Sequence, residues 1–184
     1  MAEIIKNSSG MLDRVICDFT GTECLQWYSV SDEVMGGVSE SRFFRSDEGV
    51  GVFQGELSTA NGGGFASVRT LLEERDFSGF SGIRFQVKGD GRRYSFRIRN
   101  DDNYDGIAYR NDFASVAGEW MEIDLPFSGF TASFRGRIID NAAPLDLSSI
   151  VQIGIMVSKE KTGAFSLEIR SIRAYSTPRD AFRA

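Results

Sequence analysis

Histidine is absent from all 184 residues of the sequence, and this limits the chemistry that the chain can perform. Serine and cysteine nucleophiles commonly rely on an imidazole as base, and many metal sites use imidazole as a ligand. An acid–base enzyme would have to use carboxylates, lysine or tyrosine, and a glycosidase would need two carboxyl groups about 5–10 Å apart. We therefore predict a non-catalytic binding module rather than an enzyme.

The first candidate site begins at Asp32. Its carboxylate can bind a ligand, or it can cap a turn by accepting hydrogen bonds from backbone N–H groups. Met35, Gly36 and Gly37 follow, and two adjacent glycines permit either a close ligand approach or a sharp corner between strands. Ser39 places a hydroxyl just beyond the glycines. The ligand-binding and the structural interpretation both stay open.

The second candidate segment begins at Asn61 and runs through three glycines to Phe65 and Arg69. Its consecutive backbone amides can form an anion-binding nest, or the glycines can form a flexible hairpin loop. We expect the two segments to lie close together and to form the functional surface. The predicted ligand- or partner-binding residues are Trp27, Asp32, Met35, Gly36, Gly37, Ser39, Asn61, Gly63, Phe65 and Arg69.

The two tryptophans of the chain have different surroundings. Trp27 can be a core residue at the start of a strand, or it can be a platform for a sugar ring. Trp120 shares a strand face with the acidic residues Glu122 and Asp124, which predicts partial exposure of the indole.

An acidic stretch matches the first half of an EF-hand calcium loop. Asp101, Asn103 and Asp105 place oxygens at positions 1, 3 and 5, and Gly106 stands at position 6. Asp112 occupies position 12, where glutamate is usual, and the flanks are not helical. The stretch is either a weak calcium site or a solvated acidic connection. No other cofactor is expected.

A β-hairpin is predicted around Gly89-Asp90-Gly91 because apolar residues alternate on both sides of this turn. The predicted core residues are Ile83, Phe85, Val87, Tyr94, Phe96 and Ile98. The opposite face would carry Arg84, Lys88, Arg93, Arg97 and Arg99. Like charges on adjacent strands repel, so acidic neighbours, an anionic ligand or an acidic partner surface would relieve this face.

Similar alternating runs continue along the chain between glycine-rich turns, at 50–57, 65–71, 121–125, 151–157 and 165–174. A β-bulge near Arg170-Ser171 would correct a change of parity in the last run. This pattern predicts an all-β fold, an antiparallel jelly-roll sandwich. We assign residues 16–176 to one sandwich domain, 1–15 to an N-terminal segment and 177–184 to a C-terminal tail.

The composition narrows the choice of partner and compartment. A net charge of −5 argues against a non-specific nucleic-acid binder. No stretch approaches the roughly 18 apolar residues of a membrane span. Cys17 and Cys24 fit no common zinc pattern and are interpreted as reduced thiols. We expect a cytoplasmic protein, and a mitochondrial one only if a targeting segment is missing from this chain.

Three segments carry a more specific signal than composition. The first runs from Trp27 to Phe43, the second from Phe53 to Arg69, and the third from Val87 to Tyr94. In this order they resemble the complex I intermediate-associated protein family, whose founding members are assembly factors for mitochondrial NADH:ubiquinone oxidoreductase. The similarity extends over most of the chain, roughly from Asp18 to Tyr175.

The resemblance implies a jelly-roll sandwich similar to galactose-binding domains, in agreement with the strand pattern. It also implies a protein partner and an assembly or chaperone-like role in a larger respiratory or photosynthetic complex. A module that binds carbohydrate or another small ligand is the alternative. An exposed hydrophobic patch would favour the first function, and an aromatic groove lined with polar side chains would favour the second.

Overall fold

Short alternating runs of apolar and polar residues form nearly all of the regular structure, which a computed structural model describes for residues 4–6, 12–21, 25–103, 105–158 and 161–177. The strands are β1 (Ile4–Lys6), β2 (Leu12–Asp18), β3 (Tyr28–Ser31), β4 (Glu40–Arg45), β5 (Gly51–Leu57), β6 (Phe65–Leu71), β7 (Gly82–Lys88), β8 (Arg93–Arg99), β9 (Ala108–Ala114), β10 (Trp120–Pro126), β11 (Thr131–Phe134), β12 (Arg137–Ile138), β13 (Gln152–Ser158) and β14 (Gly163–Tyr175). Short 3₁₀ helices span Asp32–Met35, Ala60–Gly62 and Phe127–Gly129.

The strands form two antiparallel sheets. The first sheet has the order β1-β2-β14-β5-β4, and β14 also pairs with β7, which in turn pairs with β10. The second sheet has the order β12-β11-β9-β8-β13-β6-β3. The core lies between the two sheets, because the central strands turn one face inward and the other toward solvent. The predicted all-β sandwich is confirmed.

The predicted core residues are all buried. Phe85 from the first sheet and Phe96 from the second meet across the sandwich, with ring centroids 5.2 Å apart. Phe113 packs edge-on against Phe85 at 4.9 Å. Interlocking aromatic rings of this kind account for much of the energy that holds two sheets together.

The predicted hairpin is wrong, although its core residues are right. β7 pairs with β10 and β14, whereas β8 pairs with β9 and β13. The turn therefore carries the chain from one sheet to the other. Asp90 holds it, accepting hydrogen bonds from the Tyr94 hydroxyl at 3.0 Å and from the Ser166 amide at 3.0 Å. A period of two shows which side chains face the core, but it does not show whether two strands are side by side or face to face.

The predicted cationic face is consequently divided between the two sheets. Arg84 and Lys88 lie on the outer face of the first sheet, in register with acidic residues of β10 and β14. Arg93, Arg97 and Arg99 lie on the outer face of the second sheet. The five charges do not form one surface.

The long strand β14 shows the predicted bulge. Its register with β7 shifts between Ile169 and Ser171, where the parity of the apolar residues changes. The N-terminal boundary needs correction, because β2 pairs with β14 and β1 pairs with β2 inside the first sheet. This strand is hard to predict from the sequence because it contains a charged residue, Arg14, at a buried position. Its guanidinium is buried over the Phe77 ring, 4.1 Å from the ring centroid.

The remaining predictions about the termini and cysteines are only partly covered. Cys17 is buried, and Cys24 lies outside the described residues. The predicted tail begins at Thr177, whose amide donates to the Ser81 hydroxyl at 3.0 Å, and residues 178–184 lie outside the described part. Within the described ranges, no helix is long and apolar enough to cross a membrane.

Candidate functional site

The two predicted segments meet at the carboxylate of Asp32, which is 0% exposed. One oxygen accepts a hydrogen bond from the Ser39 amide at 2.9 Å, and the other accepts one from the Ser39 hydroxyl at 2.6 Å. The second oxygen also accepts bonds from the amides of Gly64 at 2.5 Å and Phe65 at 3.3 Å. A single side chain thus ties the loop after β3 to the loop before β6, and the expected proximity of the two segments is confirmed.

The glycines of both segments make room for this carboxylate. A Cβ atom at Gly37 would lie 2.3 Å from the carboxylate carbon of Asp32, and one at Gly63 would lie 2.4 Å from a carboxylate oxygen. Gly36 ends the 3₁₀ helix with a φ of 84°, a conformation that favours glycine. The glycines are needed because two backbones converge on one buried acid.

Ser39 extends the same network. Its hydroxyl donates to Asp32, contacts the Ser58 carbonyl at 3.1 Å and accepts from the Ser58 amide at 3.0 Å. Like Asp32, Ser39 is fully buried. The geometry therefore supports the turn-capping interpretation of Asp32 over the ligand-binding one, and it gives Ser39 the same structural role.

The network keeps Asp32 ionised. Burial raises the pKa of this carboxyl, but hydrogen bonds from Ser39, Gly64 and Phe65 lower it by more, so that the pKa lies below its ordinary value. A carboxylate that accepts several N–H and O–H bonds is favoured over the neutral acid. Asp32 is therefore a negatively charged structural centre of this region.

This leads to a prediction about pH. Because the native pKa of Asp32 is lower than the unfolded value of about 3.9, its ionisation stabilises the native state above that pH. The stabilisation is lost as the pH falls through the native pKa. Asp32→Asn cannot ionise, so we expect its deficit in melting temperature to be constant between pH 7 and 5 and to narrow toward pH 2. Melting curves of the wild-type protein and of Asp32→Asn, followed by circular dichroism, would measure this difference in melting temperature. A constant deficit down to pH 2 would contradict the prediction.

The aromatic candidates have separate positions. Trp27 packs against the core, stacked on Phe43 with ring centroids 5.2 Å apart and 6.2 Å from Phe19. This supports the core interpretation over the sugar platform. Trp120 is 38% exposed, as predicted, and the Arg170 guanidinium lies 4.2 Å from its ring centroid.

The other candidates of these segments lie in or directly after the first two 3₁₀ helices. Gly36 and Asn61 are exposed, and Asn61 has a φ of 56° inside the second 3₁₀ helix. Gly63 is partly buried against Asp32. Met35 closes the first 3₁₀ helix. A binding role for these positions stays a prediction.

Phe65 and Arg69 lie on the outer face of the second sheet. Ala66 and Val68 alternate with them on the same strand and are buried in the core. Residues of four neighbouring strands continue the line of Arg69 across this face. In strand register, the order is Tyr28, Arg69, Gly154, Arg97 and Arg110. We call this line the arginine row. Arg69 and Arg97 are separate candidates in the sequence, and only the strand order shows that they share a row.

The arginine row is crowded with positive charge. Burial is the largest cause that lowers the pKa of Arg97, and together with three neighbouring guanidinium groups, and against one carboxylate, it brings this pKa to about 10. The arginines are Arg110, Arg99 and Arg69, and the carboxylate is Asp112. Asp112 also forms an ion pair with Arg110 at 2.9 Å. Arg97 therefore lies in a locally positive environment.

The acidic stretch after β8 forms an ordinary turn. Asp101 accepts a hydrogen bond from the Asn103 amide at 3.0 Å, and Asp105 forms an ion pair with Arg135. Asp112, at position 12 of the EF-hand pattern, lies in β9 and is held by Arg110. In the described part of the chain, no group of three or more acidic or cysteine side chains could hold a metal ion. Calcium binding by this stretch stays a prediction.

Solved structures share this sandwich. The family 11 carbohydrate-binding module of the Clostridium thermocellum cellulase Lic26A-Cel5E superposes with a TM-score of 0.67 over 90% of this chain and 95% of its own, at 21% identity. A family 29 carbohydrate-binding module superposes with a TM-score of 0.55 over 94% of this chain and 94% of its own, at 12% identity. These similarities confirm the fold.

Proteins with similar sequences give more specific information than the solved structures do. An uncharacterised protein of Schizosaccharomyces pombe is 31% identical over 79% of this chain and 76% of its own length. The mitochondrial complex I intermediate-associated protein 30 of Mus musculus is 30% identical over 90% of this chain, and that of Drosophila melanogaster is 26% identical over 84%. The matches span 57% and 60% of those two relatives.

The family model for complex I intermediate-associated protein 30 matches residues 17–169. The matched range contains both segments that Asp32 joins and every strand of the arginine row. The resemblance inferred from the sequence is thereby confirmed. The chain belongs to the complex I intermediate-associated protein 30 family.

Proposed function

We propose that this chain is a non-catalytic protein-binding module that assists the assembly of a larger respiratory complex. The observation that carries the proposal is the family match over residues 17–169, together with the names of the mouse and fly relatives, which refer to intermediates of complex I. The chain spans about three fifths of each of those relatives, so their role as whole proteins is transferred here as a proposal.

The geometry is compatible with a scaffold that offers a surface. Asp32 and Ser39, two of the predicted binding residues, form hydrogen bonds inside the fold and hold two loops together. The polar outer face of the second sheet remains accessible, with Tyr28 exposed at one end of the arginine row. A rigid sandwich that presents a charged face is suited to binding another protein.

We also infer that the protein acts in the mitochondrion. The mouse, fly and nematode relatives are named as mitochondrial proteins, which argues against the cytoplasmic prediction. The conditional alternative of a mitochondrial protein is the one that these names support.

Affinity capture from the native host tests the assembly role. The tagged chain would be expressed at its natural level, cross-linked in the cell, purified, and its partners identified by mass spectrometry. We expect enrichment of NADH:ubiquinone oxidoreductase subunits over a tag-only control. The assembly role is wrong if the folded, tagged chain enriches no subunit of that complex.

A carbohydrate-binding module is a second candidate, and Tyr28 is the observation that favours it. Its ring is 50% exposed beside Arg69 on the outer face of the second sheet, where it can stack on a sugar. A structural neighbour was solved with a β-1,3-1,4-mixed-linked tetrasaccharide. Calorimetric titration with that tetrasaccharide tests the candidate. Binding that Tyr28→Ala removes would support it, and no heat at millimolar sugar would dismiss it.

A further inference from the structure

Two outward cations of the first sheet have a carboxylate partner, whereas Arg97 of the second sheet has mostly cationic neighbours. On the first sheet, Arg84 donates two hydrogen bonds to Asp124, at 2.7 and 2.8 Å, and Lys88 lies 2.8 Å from a Glu168 oxygen. Each of these cations is neutralised by an acid on the neighbouring strand. These two positions of the first sheet therefore need no further anion.

The second sheet lacks this balance at Arg97. Of the charged side chains that act on it, three are arginines and one is Asp112, which is already paired with Arg110. The Nε atom of Arg97 is buried and has no hydrogen-bond partner among the residues that the structure describes. The hydroxyl of Ser95, two residues earlier on the same face, is likewise buried and unpartnered within that part of the chain.

An orphaned donor of this kind is costly in a folded protein, since it has lost water without gaining a partner. Placing like charges close together adds to the cost. A bound oxyanion would satisfy the Arg97 Nε and the Ser95 hydroxyl together, and it would neutralise the charge. These two groups thus define the centre of an anion site.

Gly154 lies between Arg69 and Arg97 in strand register. A Cβ atom there would lie 3.2 Å from Cγ of Arg69, so the Arg69 side chain extends over the glycine. With strands about 4.8 Å apart, the backbones of Arg69 and Arg97 are about 10 Å apart.

We propose that the arginine row binds the carboxylates of an acidic, extended segment of a partner protein. Arg97 and Ser95 hold one carboxylate, and Arg69 holds a second. Alternate side chains of an extended chain are about 6.7 Å apart, a spacing that two arginine side chains about 10 Å apart at the backbone can reach. The choice of a protein as ligand rests on the proposed function, whereas the preference for an oxyanion rests on the face itself.

Isothermal titration calorimetry with the capped peptide Glu-Ser-Glu-Ser-Glu tests the site. We expect binding that weakens with added salt and that the Gln-Ser-Gln-Ser-Gln peptide does not show. Arg97→Gln should weaken binding by about tenfold or more. Arg42→Gln removes the same charge from the first sheet and should leave binding unchanged. Arg97→Lys keeps the charge but loses Nε, and we expect an intermediate affinity.

The melting temperature separates a binding role from a structural one. Because Arg97 is repelled by its neighbours, Arg97→Gln should melt at the wild-type temperature or above it. Equal binding of the glutamine peptide, or undiminished binding to Arg97→Gln, would overturn the proposal. Competition by inorganic phosphate at peptide-like concentrations would also overturn it, because it would indicate a small-anion site. Tighter binding of oligouridylate than of the peptide would overturn it as well, because it would indicate an RNA site.

The cellular experiment distinguishes this inference from the proposed function. If the wild-type chain captures complex I subunits and Arg97→Gln captures them equally well, the assembly role stands and the arginine row is not its docking site. If the wild-type chain captures none while the glutamate peptide binds as described, the assembly role fails and the oxyanion site stands. Loss of capture in Arg97→Gln but not in Arg42→Gln supports both.

Discussion

Replacing Asp32 with alanine is expected to lower the free energy of unfolding by about 3–5 kcal/mol, which corresponds to a fall of roughly 10 °C in melting temperature. The Ser39 hydroxyl and the amides of Ser39, Gly64 and Phe65 all donate to this carboxylate in a buried position. Each donor left without a partner costs about 1–3 kcal/mol, partly offset by relaxation and by water entry. Urea denaturation followed by tryptophan fluorescence measures the change.

Glu33→Ala is the matched control. It removes a carboxylate from the adjacent position of the same 3₁₀ helix, but Glu33 is exposed, so we expect a change within about 0.5 kcal/mol. If Asp32→Ala were as mild as Glu33→Ala, the hydrogen bonds of Asp32 would not support the two loops. A ligand-binding role for its carboxylate would then regain support.

A double-mutant cycle with Gly37 tests the packing around Asp32. Gly37→Ala alone should destabilise strongly, because its Cβ atom would lie 2.3 Å from the Asp32 carboxylate. In Asp32→Ala/Gly37→Ala most of that clash is gone. We expect the double variant to lose less stability than the sum of the two single losses. Simple additivity would show that the glycine is needed for another reason.

The sequence patterns predict which side chains are buried, but they do not predict which strands pair with each other. Phe85 and Phe96 were placed in the core by alternation alone, because burial depends on which face a residue occupies. Strand pairing depends on contacts between distant segments. β8 pairs with β13, more than fifty residues away along the chain, and nothing local in the turn at Gly89 distinguishes this from a hairpin.

The candidate site was likewise predicted only as far as local sequence allows. The spacing of Asp32, Ser39 and the glycine run suggested that two segments meet, and they do. The sequence could not decide whether Asp32 faces a ligand or its own backbone, since both uses require the same residue types. The arginine row was missed as a unit because β6, β8 and β9 come together only through the strand order of the second sheet.

Replacing Phe96 with alanine is the other change expected to have a large effect, with a loss of about 3–5 kcal/mol in the free energy of unfolding. Phe96 is 0% exposed and contacts Phe85 across the sandwich, with Phe130 edge-on at 6.3 Å. Truncation removes these contacts and leaves a cavity, and the two sheets cannot easily move closer to each other to fill it. Chemical denaturation of the purified variant measures the loss.

Phe44→Ala provides the control, since Phe44 is 39% exposed on β4 and should lose no more than about 1 kcal/mol. A cycle that combines Phe85→Ala with Phe96→Ala tests the contact between the sheets. Because the two rings are 5.2 Å apart, we expect a coupling energy of about 0.5–1.5 kcal/mol. Additive losses would mean that the rings stabilise their own sheets independently, and that the sandwich is held together elsewhere in the core.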